Sequence, residues 1–230
     1  MDAFKLSDLI QQPDPLQSRH ALEVTMADDS TPMVAYLQAT DIIDWPHPAI
    51  LDLAQELAAD HSNPTAIAQA CFEWVRDRIR HSVDYQLNPV TCRASEVLHY
   101  RTGYCYAKSH LLAALLRANQ IPAGFCYQRL SVDDQGAPYC LHGLNAVYLP
   151  DIGWYRVDAR GNREGVDAQF TPPYERLAFE LTLVEEKDFP GVLPEPLEIV
   201  VDVLQRCSTW DGCLQNLPDV SPEAALRLAG

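Results

Sequence analysis

The order of helical and strand-like patterns in this 230-residue sequence predicts an α+β fold. Amphipathic helical patterns occupy the chain up to about residue 119, and three strand-like segments follow between residues 125 and 159. Short loops join these strands, which makes the predicted sheet antiparallel. We therefore expect helices packed on an antiparallel sheet, with additional helices towards both ends of the chain.

The composition is that of one globular domain with a sizeable core. Apolar residues make up 47% of the chain and charged residues 21%. We expect a single domain over residues 1–230, divided into an N-terminal extension (1–45), a core (46–162) and a C-terminal segment of surface loops and helices (163–230). The sequence leaves the oligomeric state open.

Charge and hydropathy argue against several classes of partner. With 17 basic and 32 acidic residues, the formal net charge of −15 argues against binding to nucleic acid or to an anionic membrane. The first residues lack a signal-peptide pattern, and no apolar run approaches the length of about 18 residues that a membrane span needs. The protein is expected to be cytoplasmic.

The seven cysteines are odd in number and mostly lie within apolar patterns, which is typical of reduced core residues. No pair has the two-residue spacing of a zinc knuckle. The residues of zinc-ligand type near the predicted sheet are Cys105, Cys126, Cys140 and His142. Their spacing matches no closed zinc pattern, so neither a metal nor a cofactor is expected.

Two short strand-like patterns lie near the start of the chain, after an irregular segment over residues 1–20. Residues 21–25 and 33–37 are apolar stretches separated by a polar turn cluster that ends in a proline. We expect a short strand at each.

Better-marked helices follow. Pro48 can open the first, in which apolar residues recur at helical spacing. Asn63 and Pro64 form an N-cap and a first-turn proline for the second, which is expected to run to about Arg80. A short helix over residues 94–100 then precedes a longer apolar helix.

From Gly124 onwards the periodicity changes to that of strands. Residues 125–130, 140–149 and 154–159 are predicted strands, and a short hairpin loop at 150–153 joins the last two.

The C-terminal segment is expected to wrap the surface. A proline-rich stretch runs over residues 161–196, and an amphipathic helix follows from Leu197 to Leu204. A polar loop over residues 208–212 then leads to a short tail helix after Pro222.

The longer apolar helix begins at Cys105, where a nucleophile would be placed. Gly103 offers a turn before it, and the apolar pattern ends near Asn119. Free N–H groups and the positive end of the helix dipole favour a thiolate at this position. His110 lies about 140° around the same helix, so we interpret it as structural or as a support for the residues of the site. An ordinary thiol is mostly protonated at neutral pH, so Cys105 needs a base.

His142 and Asp158 are the candidates for the base and its orienting carboxylate. They lie on consecutive predicted strands, and a hairpin that closes at residues 150–153 gives them the same parity, so that they could face one side. A histidine can take the thiol proton, and a carboxylate fixes its tautomer. Asp151 and Asp167 are alternative carboxylates. Cysteine at a helix start, with histidine and aspartate on paired strands, is the arrangement of a papain-like active site.

Three motifs occur in the order that one known family shows. The first consists of Gly103, Tyr104 and Cys105 with the apolar run over residues 111–116, and the second is the turn over residues 120–124. The third is the stretch from His142 to Asp158, 16 residues later, with Gly153 and Trp154 between them. On these motifs the segment from about residue 64 to residue 162 resembles the core of the transglutaminase-like superfamily.

The resemblance implies a papain-like core and a role for each matched residue. Cys105 would be the nucleophile, His142 the base and acid, and Asp158 the residue that orients the histidine. Leu144 stands where the family often has tryptophan, and Ala146 where it often has an acidic residue. The calcium sites of animal transglutaminases match no acidic cluster here. These departures imply a branch other than the typical protein-crosslinking enzymes.

Several residues near Cys105 and Asp158 are candidates for stabilising an oxyanion or for contacting the substrate. The backbone N–H of Cys105 is a natural donor at a helix start. The side-chain donors considered are His99, Tyr100 and Tyr104. Arg160 and Asn162 follow Asp158, where the family commonly has Pro-Thr, and they either contact substrate at the edge of the site or pair with acidic groups.

The first functional hypothesis is a thiol-dependent acyl-transfer enzyme that cleaves an amide or peptide bond through a thioester. Water as acceptor gives a peptidase or amidase, and an amine gives a transglutaminase-type transferase. Hydrolysis is favoured, because the chain lacks recognisable calcium sites. A non-catalytic peptide-binding module on the same fold and an arylamine-type acetyltransferase are the alternatives.

Overall fold

The computed structural model describes residues 31–221. The helices in this range are α1 (Pro48–Ala58), α2 (Pro64–Arg78), α3 (Ser82–Tyr85), α4 (Ala94–Tyr100), α5 (Cys105–Ala118), α6 (Glu198–Arg206) and α7 (Trp210–Leu214). The strands are β1 (Arg80–His81), β2 (Thr102–Gly103), β3 (Ala123–Ser131), β4 (Tyr139–Leu149), β5 (Gly153–Val157) and β6 (Lys187–Asp188). The predicted α+β layout, with helices packed on an antiparallel sheet, is confirmed.

Local sequence signals set the helix starts. The side chain of Asn63 accepts a hydrogen bond from the backbone N–H of Ala66 at 2.9 Å, and Pro64 occupies the first helical position of α2. In α1 the ring of His47 accepts from the N–H of Ala49 at 3.3 Å, and Pro48 follows it. These caps satisfy donors that the first turn leaves unpaired.

Helix α5 is the centre of the fold, and every residue from Cys105 to Arg117 is buried. Its two buried cations are satisfied by backbone carbonyls of the surrounding elements. The ammonium of Lys108 donates to the carbonyls of Arg76, at 3.3 Å, and of Ile79, just after α2. The guanidinium of Arg117 donates to the carbonyl of Ala123 at 3.1 and 2.8 Å. The two side chains therefore connect α5 to α2 and to β3.

The sheet has the strand order β5-β4-β3-β6, with antiparallel pairing throughout. The hairpin between β4 and β5 closes with Leu149 opposite Gly153, as the sequence predicted. Asn145 pairs with Val157, so Asp158 continues this register two residues from the position opposite His142. The two residues therefore have the same parity.

A glycine allows β4 to pass close to the first turn of α5. A Cβ atom on Gly143 would lie 2.8 Å from Cδ1 of Tyr106, so a larger residue would push the strand away. The hydroxyl of Ser109 donates to the carbonyl of Gly143 at 3.2 Å, and the amide of Asn145 donates to the carbonyl of Ser109 at 3.1 Å. His142 is the neighbour of Gly143, so this approach brings it towards the start of α5.

Residues 33–37 form a 3₁₀ helix, so the strand predicted there is wrong. The N–H of Ala35 bonds to the carbonyl of Pro32 at 2.9 Å, and the turn buries Tyr36, whose ring lies edge-on to Trp154 at 4.6 Å between centroids. Burial of the Tyr36 side chain thus favours the 3₁₀ helix over a strand in this segment. The strand predicted at residues 21–25 and the helix after Pro222 lie outside the described residues.

Two C-terminal elements also differ from expectation. Part of the loop predicted at residues 208–212 belongs to α7, because the side chain of Thr209 caps it by accepting from the N–H of Gly212 at 3.3 Å. Strand β6 lies within the stretch predicted to wrap the surface and pairs with β3. Within residues 31–221, no helix combines the length and hydropathy needed to cross a bilayer.

Candidate active site

Cys105 is the first residue of α5, and its position is set by the segment that leads into the helix. β2 pairs in parallel with β1, which places Gly103 opposite His81. A Cβ atom on Gly103 would lie 3.0 Å from the Cβ of Ala107, so this entry into the helix requires glycine or a shift of the first turn. Cys105 is 8% exposed, at the N-terminal end of the helix dipole, where a thiolate is stabilised.

His142 and Asp158 are in direct contact. Nε2 of His142 lies 2.7 Å from Oδ2 of Asp158, and both side chains are buried. The backbone N–H groups of Arg160 and Ala178 each donate to the Asp158 carboxylate at 3.1 Å. Burial raises the pKa of Asp158, but the His142 charge and these hydrogen bonds outweigh it and leave the pKa below its ordinary value. Asp158 is therefore held as a carboxylate facing the imidazole.

The electrostatic environment keeps His142 protonated at neutral pH. Burial lowers its pKa, but the Asp158 carboxylate and interactions with Cys105, including a hydrogen bond, outweigh burial and raise the pKa to about 10. Because Asp158 occupies Nε2, Nδ1 is the ring nitrogen that remains for Cys105. An imidazolium beside a thiol at a helix start is the pairing that a reactive thiolate requires. The ring of Phe179 packs edge-on against His142 at 5.0 Å between centroids.

Arg160 and Asn162 do not present free side chains to a substrate. The guanidinium of Arg160 makes two hydrogen bonds to the carboxylate of Asp84, at 2.5 and 2.8 Å, and lies over the ring of Phe179. Asn162 bonds to both backbone groups of Ala168, at 3.2 and 2.8 Å. Of the two roles left open by the sequence, the structure thus favours pairing with an acidic group for Arg160, and it gives Asn162 a role in loop structure.

None of the three side chains considered as oxyanion donors points to the thiol. The hydroxyl of Tyr104 donates to the carbonyl of Trp210 in α7. The rings of His99 and Tyr100 pack edge-on against each other. Both residues line a groove of about 720 Å³ between α1 and α4, which His47 and Asp52 also line and to which the triad does not contribute. Proximity in sequence to Cys105 does not place these side chains at the site, because His99 and Tyr100 lie on α4 beside the groove.

His81 lies near the candidate site, although the sequence did not indicate it. It lies 24 residues before Cys105, yet the parallel pairing of β1 with β2 brings it beside the segment that leads into α5. Its ring packs edge-on against Tyr104 at 5.8 Å, and its electrostatic neighbours include His142 and Arg160. A two-residue strand has no periodicity, so no sequence signal indicated this pairing. His110, as predicted, is structural: its Nδ1 bonds to the carbonyl of Cys92 at 2.7 Å.

The residues that the structure describes contain no cluster of three or more histidine, cysteine or acidic side chains arranged to hold a metal ion.

The catalytic roles of Cys105, His142 and Asp158 are predictions that rest on their chemistry and contacts.

A thiol at the start of a buried helix, near a histidine–carboxylate pair on an antiparallel sheet, is the arrangement of a papain-like core. Residues 51–159 match the model of the transglutaminase-like superfamily. This match covers a little under half of the chain and falls on the segment whose motifs resemble that superfamily.

Solved structures that resemble the chain include a candidate cysteine protease from Cytophaga hutchinsonii and the periplasmic domain of TgpA from Pseudomonas aeruginosa. The first is 19% identical, with 60% of this chain and 46% of that chain covered and a TM-score of 0.47. The second is 23% identical, with 55% and 48% covered and a TM-score of 0.43. The chain thus spans about half the length of each. No curated protein matches it.

Asp84→Asn is expected to lower the free energy of unfolding by about 2 kcal/mol, because it leaves the buried Arg160 guanidinium without its anion. Urea denaturation measures this change. The matched control is Asp167→Asn, which breaks an ion pair with Arg176 whose side chains are 55% and 57% exposed. That control is expected to cost below about 1 kcal/mol. Equal costs for the two variants would contradict a structural role for the Asp84–Arg160 pair.

Proposed function

We propose that this chain is a thiol-dependent acyl-transfer enzyme acting on an amide or peptide bond, with Cys105 as nucleophile, His142 as base and acid and Asp158 as the orienting carboxylate. The observation that carries the proposal is the buried 2.7 Å contact between His142 and Asp158, next to a cysteine at a helix start that interacts with the same imidazole. Each of the three groups then has the partner that its role requires.

The proposed reaction has two stages. The Cys105 thiolate attacks the substrate carbonyl carbon, and the carbonyl π electrons move to the oxygen, where the backbone N–H of Cys105 can donate a hydrogen bond. The tetrahedral intermediate collapses with cleavage of the C–N bond, and His142 gives its proton to the departing amine, which leaves an acyl thioester. His142 then takes a proton from water as the water oxygen attacks the thioester carbonyl, and the second tetrahedral intermediate collapses with cleavage of the C–S bond. The carboxylic acid leaves, and the Cys105 thiolate is regenerated beside the protonated His142.

The limited access to the site supports water as the acyl acceptor. Cys105 is 8% exposed and His142 only 4%, so a thioester on Cys105 would be largely buried. Water reaches a largely buried thioester more readily than an amine on a protein side chain does. The chain is therefore proposed to be a cysteine peptidase or amidase, and transamidation is the alternative outcome of the test.

The test uses p-nitrophenyl acetate as acyl donor, with and without cadaverine as a competing amine. We expect acetyl transfer to Cys105, detected by peptide mass, followed by release of acetate as the main product. Acetylated cadaverine as the main product would replace the hydrolase with a transferase. An enzyme whose Cys105 is never acetylated would support the binding-module alternative instead.

The proposed compartment rests on the cysteines, and the proposed partners rest on the net charge and the proposed reaction. All seven cysteines are free, which supports a reducing compartment, so we propose a cytoplasmic location. The net charge of −15 disfavours nucleic acid and anionic membranes as partners, and the proposed acyl transfer implies a peptide or amide substrate.

Asp158→Asn is expected to move the alkaline limb of the kcat/KM profile to lower pH by about one unit or more. Asparagine keeps an oxygen acceptor for Nε2 of His142 but removes the negative charge that helps to raise the histidine pKa to about 10. In the wild-type protein the charged His142 contributes stability that is complete below its ordinary pKa of 6.5 and is lost as pH rises towards 10. The variant should lose that contribution at lower pH. An unchanged alkaline limb would contradict the role of Asp158.

A further inference from the structure

His81 is a buried histidine whose ring nitrogens make no hydrogen bond to any residue from 31 to 221. The side chain is 8% exposed, and Nδ1 is fully buried without a partner. The nearest carboxylate oxygen, Oδ1 of Asp84, is 3.8 Å from Nδ1, which is too far for a hydrogen bond. Both oxygens of Asp84 are already bonded to Arg160. A buried polar group without a partner requires a physical reason.

Each of the other two buried histidines in the described part of the chain has one ring nitrogen in a hydrogen bond, although Nε2 of His110 is buried without a partner. His110 bonds to the carbonyl of Cys92 at 2.7 Å, and His142 bonds to Asp158 at 2.7 Å. Burial of an imidazole without a hydrogen bond costs free energy that neither of these residues incurs in full. His81 differs in that neither ring nitrogen is bonded within residues 31–221, and Nε2, unlike Nδ1, is not enclosed, so it is free to bind a partner other than these residues.

The location of His81 indicates what that partner is. Its Cα is paired with that of Gly103, and its ring packs on Tyr104, the residue before the nucleophile. Four basic groups act on the ring, those of Arg160, Lys108, His142 and Arg163. Burial and these positive charges hold the pKa of His81 well below its ordinary value, so the ring is neutral at pH 7. A neutral imidazole in a positive environment is a poor base but keeps one N–H to donate to an oxygen that becomes negative.

We propose that His81 is a second substrate-binding histidine, which donates a hydrogen bond from Nε2–H to the carbonyl oxygen of the acyl group attacked by Cys105. Nδ1 is enclosed by protein, so Nε2 is the nitrogen that can meet the substrate. The bond strengthens as the carbonyl π electrons move to the oxygen, and it weakens when the tetrahedral intermediate collapses, with no proton transferred to or from His81. Together with the backbone N–H of Cys105, it gives the oxyanion two donors. The inference rests on the proposed acyl transfer.

The test compares two reactions of the same thiol in wild-type protein and in His81→Phe and His81→Asn. Acetylation by p-nitrophenyl acetate passes through an oxyanion, whereas alkylation by iodoacetamide displaces iodide and forms none. We expect His81→Phe to slow acetylation of Cys105 by about 10²-fold or more, the cost typical of one lost oxyanion donor, and to change alkylation by less than about threefold. His81→Asn, which keeps an N–H donor, should recover part of the lost acetylation rate.

His110→Phe is the matched control, since it replaces a buried histidine on α5 outside the site, and it should leave the ratio of the two rates unchanged. An unchanged ratio in His81→Phe would overturn the inference, whether both rates fall together or neither does. Equal losses would instead mean that His81 only supports the local structure. Failure of the wild-type protein to be acetylated at Cys105 would overturn the proposed acyl transfer as well, so the two failures are distinguishable.

Discussion

Replacing Cys105 with alanine is expected to lower kcat/KM for p-nitrophenyl acetate by roughly 10⁴-fold or more, to the background rate of the ester in buffer. The thiol forms the only covalent bond to the acyl group in the proposed reaction, so no other group can substitute for it. The loss should be accompanied by disappearance of the acetylated peptide that contains residue 105.

The matched control for this prediction is Cys126→Ala. Cys126 is another buried cysteine, on β3, and burial raises the pKa of its thiol to about 12, so it should be unreactive at neutral pH. Its replacement is expected to leave kcat/KM within about threefold of the wild-type value. A Cys105→Ala variant that retained the esterase activity would contradict the assignment of the nucleophile.

The second large effect is expected from His142→Ala, which should reduce kcat/KM by roughly 10⁴-fold and also slow alkylation of Cys105 at pH 6. The imidazolium stabilises the thiolate and supplies the proton for the leaving group, so both reactions depend on it. Stopped-flow measurement of ester cleavage and a timed alkylation assay test the two effects separately.

His99→Ala is the control for the histidine variant, because His99 lies on α4 in a groove to which the triad does not contribute. It should change neither rate by more than about threefold. Rapid alkylation of Cys105 at pH 6 in His142→Ala would show that the helix start alone activates the thiol, which would contradict the ion-pair mechanism.

Much of the fold and the core of the candidate site could be predicted because their signals are local. Asn63 and Pro64 mark the start of α2 in two adjacent residues. The alignment of His142 with Asp158 follows from a short hairpin and the two-residue period of a strand. The start of α2 and the β4–β5 hairpin each depend on a few residues that are close in sequence. Tertiary packing therefore did not change the conformation that these local signals predict.

The features that the sequence could not indicate depend on contacts between distant segments. Tyr36 turns residues 33–37 into a 3₁₀ helix by packing against Trp154, more than a hundred residues away. His81 reaches the site through a two-residue parallel ladder with β2, which is too short to produce a sequence pattern. The hydroxyl of Tyr104 is taken by a carbonyl of α7, so proximity to Cys105 in sequence did not predict its partner.

Competition among the seven cysteines for a limiting amount of iodoacetamide at pH 6 is the most direct test of the central claim. Accessibility alone favours Cys140 and Cys207, which are more exposed than Cys105. Activation by His142 and the start of α5 predicts that peptide mapping finds Cys105 alkylated first and at least about tenfold faster than the others. Alkylation of Cys140 or Cys207 ahead of Cys105 would contradict the account.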